Sequence, residues 1–422
     1  MSGSGHPFPK WTPPEIISAY SEKNINNLFD WQADVLTWSE VNDDNIVYTA
    51  PTSAGKSVVA ELIALRVALS GKRVLFLLPY ISVAKEKLRF LQRAWRRVDI
   101  QMAAFVGAQS APSREWTAAV CTTEKANSLL NHAILDGIMN EIGLIVIDEL
   151  HMVFDSSRGV VLESLCAKIN LWNSRNSTER IRVIGMSATL ENLEQVGDWL
   201  SAKVFETHFR PVQLHERICC DGHISELGSG NIIRDVPKRF RVPEDPECVL
   251  GLAAEGIFLK KLVLVFSSSK ADVEKIALDL AKILDGIYRS NHVIAARVNR
   301  SALHAVQANI QRTAGTMDAV LSLTSEEREC IEQGFRDGII MVLVATSTLS
   351  SGVNLPAGRV VIKAQIRGPA AINATTYRQM SGRAGRLGQL RVARQDERSV
   401  AVHVVVHQRS LVVELADELE WC

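Results

Sequence analysis

The chain has 422 residues, enough for two or three domains, and its 47% apolar and 22% charged side chains are typical of an ordinary globular protein. Because 47 basic and 47 acidic side chains cancel, no global positive field is available, and any binding of nucleic acid must depend on local patches and backbone amides. Seven scattered cysteines without a C-x-x-C spacing, no apolar run of membrane-spanning length and no signal peptide argue against a disulfide framework, a zinc site and a membrane protein, and predict an intracellular one.

The N-terminal region is predicted to be a flexible, poorly ordered lead-in over residues 1–24, since Pro, Gly and Ser are frequent there. The pattern LFDWQADVL at 28–36 then indicates the start of a helix. The side-chain amide of Gln32, in this helix, can hydrogen-bond an adenine edge. A plain exposed glutamine is the commoner outcome for this residue type, so the assignment depends on the rest of the chain.

A phosphate-binding loop is predicted by the stretch APTSAGKS, which follows an apolar run at 45–49 and precedes a helical pattern at 58–65. Backbone N–H groups of such a loop point at phosphate oxygens, and the helix dipole favours their charge. Lys56 would reach the β- and γ-phosphates, and the Ser57 hydroxyl would ligate Mg²⁺. The first position is alanine instead of the usual glycine, so neighbouring sequence must support the assignment. We expect ATP and Mg²⁺ as cofactors, with the nucleotide held by Ala50, Pro51, Thr52, Ser53, Ala54, Gly55, Lys56 and Ser57.

The next part of the chain repeats one unit of strand, polar loop and helix. Apolar runs at 73–78, 118–121, 144–147 and 182–186 each end in a polar cluster. Continuous apolar runs indicate strands that are buried on both faces, and the repeat predicts a mainly parallel sheet with helices on both faces. Ligands of such sheets bind beyond the carboxyl ends of the strands, which is where the polar clusters fall.

An acidic pair follows the third of these runs. Asp148 is placed to hold Mg²⁺ directly or through water, and Glu149 to orient or deprotonate an attacking water. The alternative is a helix N-cap with a dipole-favoured neighbour, but a phosphate loop in the same chain favours catalysis. His151, just beyond, is either a satisfied loop histidine or a residue that couples this pair to another site.

The repeat weakens over residues 207–255, which we interpret as a linker and crossover into a second domain at 256–410, followed by a tail at 411–422. Strands are predicted at 261–266, 339–345, 360–362 and 399–407. Near the end of this domain, Arg383 and Arg386 are three residues apart and are predicted to share one face of a basic helix. Two guanidiniums there can contact a γ-phosphate as arginine fingers, whereas the commoner meaning is a solvated basic helix. Glycines at 382 and 385 favour close approach of a ligand.

The ordered set of these segments resembles the motifs of superfamily 2 DExH helicases, and in particular the helicase region of the DNA polymerase theta type. The similarity covers about residues 25–390 and rests on Gln32, APTSAGKS (50–57), LPYISVAKEK (78–87), CTTEKAN (121–127), DELH (148–151), SAT (187–189), ATSTLSSGVNLPA (345–357) and QMSGRAGRLG (379–388). It implies two RecA-like domains, at 25–206 and 256–410, with ATP between them. It also implies ATP hydrolysis coupled to 3′→5′ movement on single-stranded or partly duplex DNA, in nuclear DNA repair.

The resemblance also implies roles for single residues. Gln32 would read adenine, and the lysine, serine and carboxylates keep the roles given above. Three residues would couple hydrolysis to movement of the strand: His151, Ser187 and Thr189. Three would close on the γ-phosphate from the second domain: Gln379, Arg383 and Arg386. The nucleic-acid backbone would be contacted by Pro79, Tyr80, Thr122, Thr123 and Thr346.

The sequence departs from the family at three points. The family has a His-His-Ala-Gly-Leu turn where residues 319–323 read AVLSL, so this segment lacks the His pair of the family. The family continues into winged-helix and ratchet domains, which are expected to be missing here, and no polymerase domain is expected. An RNA helicase of the same branch, and a non-processive or decayed ATP-dependent clamp, remain open.

Overall fold

The structure is a computed structural model, and it describes residues 5–107, 116–155, 158–188, 190, 192–242, 245–290, 300–313, 325–346, 355, 357–363, 372, 374–385 and 400–405. The chain forms two compact units, Met1–Arg210 and Pro211–Cys422. Each unit is an α/β layer structure, which confirms the predicted fold class of two RecA-like domains. Within the described residues, none of the helices combines the length and the apolar character that a membrane crossing needs.

The first unit is built on a seven-stranded sheet in the order β3-β4-β2-β5-β6-β1-β7, and every pairing within it is parallel. Its strands are β1 (Asn45–Thr49), β2 (Arg73–Leu78), β3 (Met102–Phe105), β4 (Ala118–Thr122), β5 (Ile142–Asp148), β6 (Arg182–Ser187) and β7 (Ala202–Glu206). Its helices are α1 (Pro14–Ser21), α2 (Asp30–Val41), α3 (Lys56–Leu69), α4 (Ile81–Trp95), α5 (Thr123–Leu135), α6 (Gly159–Arg175) and α7 (Leu193–Trp199).

Both faces of this sheet are covered, as the apolar runs predict. On β1, Ile46 and Tyr48 belong to the core on one face, whereas Val47 belongs to the core on the other. Successive side chains of a strand point to opposite faces, so a strand covered by helices on both sides must be apolar at every position. The polar residues of the candidate site are therefore displaced to the strand ends.

The predicted flexible lead-in over 1–24 is wrong for its described part. Residues 14–21 form α1, in which Ile16, Ala19 and Tyr20 are almost fully buried. The i, i+3, i+4 spacing of these side chains gives one apolar face, and proline is favourable at the start of a helix. The amino-acid composition of this segment did not predict the helix, because the helix is stabilised by packing on the core of the first unit.

The second unit contains a seven-stranded sheet in the order β10-β9-β8-β14-β13-β11-β12. The five neighbouring strands β8, β14, β13, β11 and β12 pair in parallel. Strands β9 and β10 are added antiparallel at the β8 side of the sheet. Its strands are β8 (Leu214–Cys220), β9 (His223–Glu226), β10 (Ile232–Asp235), β11 (Val263–Ser267), β12 (Val342–Thr346), β13 (Arg359–Lys363) and β14 (Val400–Val405). Its helices are α8 (Val249–Phe258), α9 (Lys270–Ser290), α10 (Arg300–Thr313), α11 (Ser325–Arg336) and α12 (Ala374–Ser381).

The segment predicted as a linker, 207–255, is mostly part of this second unit. It supplies β8, β9, β10 and most of α8, and β8 pairs with β14 near the other end of the chain, with Leu214 opposite Val400. Pairing between segments so far apart in the chain cannot be read from a local sequence pattern. In addition, β8 is only partly buried over its first half, so it lacks the continuous apolar run that marks the other parallel strands. The predicted strand at 399–407 is confirmed as β14.

Candidate nucleotide site

The loop between β1 and α3 has the backbone of a phosphate cradle. Gly55 has φ 83° and lies immediately before Lys56, the first residue of α3. The left-handed backbone at Gly55 favours glycine, and a Cβ there would also displace the Gln32 side-chain amide. Helix α3 begins directly after this loop, and the start of a helix, with its N–H groups and positive dipole end, is the arrangement that binds anions.

Two side chains of the loop fit an anionic ligand. The Lys56 ammonium donates hydrogen bonds to the carbonyl oxygens of Ala50, at 2.7 Å, and Pro51, at 3.2 Å, so it is held inside the loop. The hydroxyl oxygen of Ser53 is buried, with no hydrogen-bond partner among the described residues, and Ser53 also has a positive φ of 73°. A buried hydroxyl without a partner is costly unless a ligand supplies one, so this loop fits a polyphosphate.

The acidic pair lies where β5 ends. Asp148 Oδ1 accepts a hydrogen bond of 2.9 Å from the Glu149 N–H, and Glu149 has a left-handed φ of 54°. Burial, followed by repulsion from Glu149, raises the pKa of Asp148 to about 6, although the Lys87 and Lys56 ammonium groups oppose the rise. A non-glycine residue at positive φ is strained, and such strain concentrates at functional sites. The hydroxyl of Ser57 and the carboxylate of Asp148 are hard oxygen donors, which suit Mg²⁺.

Asp148→Asn is expected to stabilise the protein in the absence of nucleotide and metal, by on the order of 1–2 kcal/mol at about pH 7.5. Because its folded-state pKa of about 6 lies above the ordinary 3.8, the folded protein holds this proton more tightly than the unfolded chain does. The cost of ionisation is therefore absent below pH 3.8, grows as the pH rises from 3.8 to about 6, and is fully present above about 6. Thermal unfolding should show a higher melting temperature for Asp148→Asn, with a gain that shrinks towards about pH 5. Asp198→Asn, at an exposed position on α7, is the control; an equal gain in both variants would contradict the prediction.

A short chain of contacts connects the acidic pair to the phosphate loop. His151 Nδ1 lies 3.0 Å from Ser187 Oγ and 3.4 Å from Glu149 Oε2. The Ser187 carbonyl oxygen accepts a hydrogen bond of 3.2 Å from the Ala50 N–H, at the start of the loop. The sheet order explains this, because β6 lies between β5 and β1. The structure thus brings together two of the three residues predicted to couple hydrolysis to movement; Thr189 lies outside the described residues.

The Gln32 side chain is buried and hydrogen-bonded to the phosphate loop. Its side chain is 3% exposed; Nε2 donates to the Gly55 carbonyl oxygen at 2.9 Å, and Oε1 accepts from the Phe29 N–H at 2.8 Å. The exposed-glutamine alternative is therefore wrong. Each end of the amide retains capacity for one more hydrogen bond, so contact with adenine stays a prediction.

The residues predicted to contact nucleic acid lie at the ends of neighbouring strands. Pro79 follows β2 and is buried, and Tyr80 precedes α4 and is partly buried. Thr122 ends β4, Thr123 begins α5, and both are buried. Single-stranded nucleic acid bound at this edge of the sheet would contact backbone groups and the Tyr80 ring more than the buried threonine hydroxyls.

In the second unit, the predicted helical face of arginines is wrong for Arg383. Helix α12 contains Gln379 but ends at Ser381, and Arg383 lies in the following turn, where its N–H donates to the Met380 carbonyl oxygen at 3.1 Å. Gly382 follows the last helical residue, and Gly385, with a positive φ of 76°, lies further along the same turn. Arg386 lies outside the described residues, as do 319–323 and the tail at 411–422. Thr346 ends β12, as the strand-end pattern predicts.

Comparison with protein families gives two matches in chain order. The DEAD/DEAH box helicase profile matches residues 30–196, within the first unit. The helicase conserved C-terminal domain profile matches residues 257–388, within the second. The first match includes Gln32, the phosphate loop and the acidic pair, and the second includes Gln379 and Arg383.

Curated relatives cover most of the chain. DNA polymerase theta of Caenorhabditis elegans is 46% identical over 397 residues, which are 90% of this chain and 24% of that protein. The human Helicase POLQ-like protein is 32% identical over 399 residues, 89% of this chain and 36% of that protein. The ATP-dependent DNA helicase Hel308 of Pyrococcus abyssi is 30% identical over 414 residues, 95% of this chain and 54% of that protein. The chain therefore spans a quarter to about half of these relatives.

Proposed function

The chain belongs to the DEAD/DEAH box helicases, and from this premise we propose that it is a DNA-stimulated ATPase that moves 3′→5′ along single-stranded DNA and opens partly duplex DNA. The observation that carries the proposal is the first unit's combination of a phosphate cradle after β1, a lysine inside it, and a carboxylate pair at the end of β5, two strands away in the sheet, in which Glu149 has a strained backbone. The name of the archaeal relative supports ATP and DNA as substrates. Nuclear DNA repair is the setting proposed from the resemblance to the polymerase theta type.

The residues of the first unit divide the chemistry among them. Lys56 would exchange its bonds to the loop carbonyls for charge-assisted bonds to the β- and γ-phosphates. Bound at Ser57 and Asp148, Mg²⁺ would neutralise charge on the phosphate oxygens. Glu149 would orient an attacking water and accept its proton, with His151 close enough to hold the carboxylate in place.

Three residues of the second unit are also assigned to the chemistry in this proposal. Gln379, Arg383 and Arg386 are proposed to stabilise the charge that develops on the γ-phosphate, the role of an arginine finger. Arg383 is presented by a glycine-flanked turn whose carbonyl oxygen accepts a hydrogen bond from the Ala357 N–H at 3.1 Å. The turn is thereby fixed to the residues that lead into β13, which supports a positioned guanidinium instead of a freely solvated one.

Comparison of DNA with RNA tests the substrate. We expect single-stranded DNA to increase ATP turnover more than an RNA of the same length and sequence. The predicted contacts reach the backbone, where the 2′-hydroxyl is the group that distinguishes the two. Steady-state ATPase rates over a concentration series of each oligonucleotide give the answer. Stronger stimulation by RNA would favour an RNA helicase of the same branch.

Unwinding is measured separately, with partial duplexes carrying either a 3′ or a 5′ single-stranded tail. Opening of the 3′-tailed duplex alone is the expected result. ATP-dependent binding of the strand with no opening of either duplex would favour a non-processive clamp. Opening of the 5′-tailed duplex alone would contradict the proposed direction.

A further inference from the structure

Arg158, in the SRG stretch at 157–159 of the first unit, connects two of the segments that are predicted to contact nucleic acid. The Arg158 Nη1 group donates to the Pro79 carbonyl oxygen at 2.7 Å, and its guanidinium carbon lies 5.2 Å from the centre of the Tyr80 ring. On its other side, Arg158 Nε is 4.0 Å from a carboxylate oxygen of Glu124, the second residue of α5. The side chain therefore spans the ends of β2 and β4, which are neighbours in the sheet.

The backbone of Arg158 is tied to the segment that follows the acidic pair. A 3₁₀ helix, Leu150–Phe154, begins directly after Glu149. Asp155 follows it and accepts two hydrogen bonds, from the Arg158 N–H at 2.8 Å through its carboxylate and from the Gly159 N–H at 2.9 Å through its carbonyl. A Cβ at Gly159 would lie 2.3 Å from the Val153 carbonyl oxygen, so α6 starts in direct contact with this 3₁₀ helix.

The chemistry of the guanidinium suits a connecting role. It carries five N–H donors in a rigid plane and stacks on aromatic rings, so one side chain can hold a carbonyl and a tyrosine ring at once. The side chain is 40% exposed, which leaves part of it facing solvent at the sheet edge where the strand is predicted to lie. Its pairing with an exposed carboxylate at 4.0 Å adds little stability, so the residue is poorly explained as a structural salt bridge.

We propose that Arg158 is a positioning residue that couples the bound strand to ATP hydrolysis. Single-stranded DNA that displaces the Tyr80 ring or the start of α5 on binding would move the Arg158 guanidinium. Because the Arg158 backbone is held by Asp155, the displacement would pass to the 3₁₀ helix and so to Glu149. The inference rests on the proposed function, since it needs a strand-stimulated ATPase.

The test is the ratio of ATP turnover with and without a saturating single-stranded DNA oligonucleotide. For Arg158→Ala we expect this ratio to fall by at least about fivefold, the lower end of the range for coupled sites. The oligonucleotide concentration for half-maximal stimulation is read from the same titration. Arg158→Lys keeps a charge and a donor for the Pro79 carbonyl but loses the planar fork, and we expect its ratio to stay below half of the wild-type value.

Controls separate this inference from the proposed function. Arg175→Ala changes an exposed arginine at the far end of the same helix and should leave the ratio at the wild-type value. If wild-type turnover responds to neither DNA nor RNA, the proposed function fails, and this inference fails with it. If wild-type turnover responds but Arg158→Ala keeps the full ratio, the inference alone is overturned. A parallel loss of both rates with a lowered melting temperature would mean a structural role, and full rescue by lysine would mean simple charge attraction; either result overturns it.

Discussion

Lys56→Ala is expected to reduce ATP turnover by about two to three orders of magnitude or more, with and without nucleic acid. The ammonium is held inside the loop by the carbonyl oxygens of Ala50 and Pro51, so it needs little rearrangement to meet a phosphate. A preorganised cation aimed at oxygens that gain charge in the transition state stabilises that state more than the ground state. Weaker ATP binding should accompany the loss of turnover. Steady-state ATPase rates and equilibrium binding of ATP, measured on the whole chain, check both.

The matched control for this variant is Lys203→Ala, an exposed lysine on β7, the strand beside β1. It removes the same charge from the same sheet and should leave turnover unchanged. Removing the Lys56 ammonium takes away a positive neighbour of Asp148, so the melting temperature must be compared as well. Normal turnover by Lys56→Ala would mean that the loop at 50–57 is not the phosphate site.

The strand-end residues could be predicted from sequence because burial on both faces imposes a local pattern. On β5, an uninterrupted apolar run forces any polar chemistry to the strand end, where Asp148 and Glu149 lie. The same logic located Ser57 after β1 and Ser187 after β6. It did not reveal that His151, Ser187 and Ala50 are joined by contacts, since that depends on the order of strands in the sheet.

Contacts between distant segments could not be predicted. The Tyr20 hydroxyl donates to Glu61 Oε2 at 2.6 Å, and the Lys87 ammonium lies 2.5 Å from Glu61 Oε1, which joins α1, α3 and α4 in one buried network. Burial alone would lower the pKa of Lys87, but the Glu61 carboxylate, followed by that of Asp148, raises it above its ordinary value. A lysine is usually solvated, and nothing next to Lys87 in the sequence indicates this buried partner. A local pattern does not show which charges meet a partner in the core.

Local rules also failed where glycine changed the backbone. Arg383 and Arg386 have helical spacing, yet the chain leaves the helix after Ser381. Gly382 and Gly385 also favour close approach of a ligand, and a turn allows such an approach as well as a helix does. The contacts of Arg158 were missed for a different reason: those to Pro79, Tyr80 and Glu124 depend on how α6 starts, which the SRG stretch at 157–159 does not reveal.

Glu149→Gln is expected to abolish multiple turnover while leaving ATP bound. The amide keeps the size of the carboxylate but does not accept a proton from water, and loss of a general base lowers rates by about two to four orders of magnitude. ATP binding should survive because Lys56 and the loop backbone are untouched, and the positive φ of 54° at this position is equally available to glutamine. Single-turnover ATP hydrolysis and equilibrium ATP binding distinguish this variant from Lys56→Ala, which should lose both.

Two comparisons make the assignment of the base specific. Glu194→Gln, at an exposed position on α7, removes one carboxylate charge elsewhere on the first unit and should leave turnover unchanged. Since His151 lies 3.4 Å from the Glu149 carboxylate, Glu149→Gln removes a negative neighbour of this imidazole, whereas His151→Ala leaves the carboxylate in place. If Glu149 is the base and His151 only holds it, His151→Ala should retain far more activity than Glu149→Gln. Equal losses would mean that Glu149 does not act without His151, and near-normal turnover by Glu149→Gln would remove Glu149 from the chemistry.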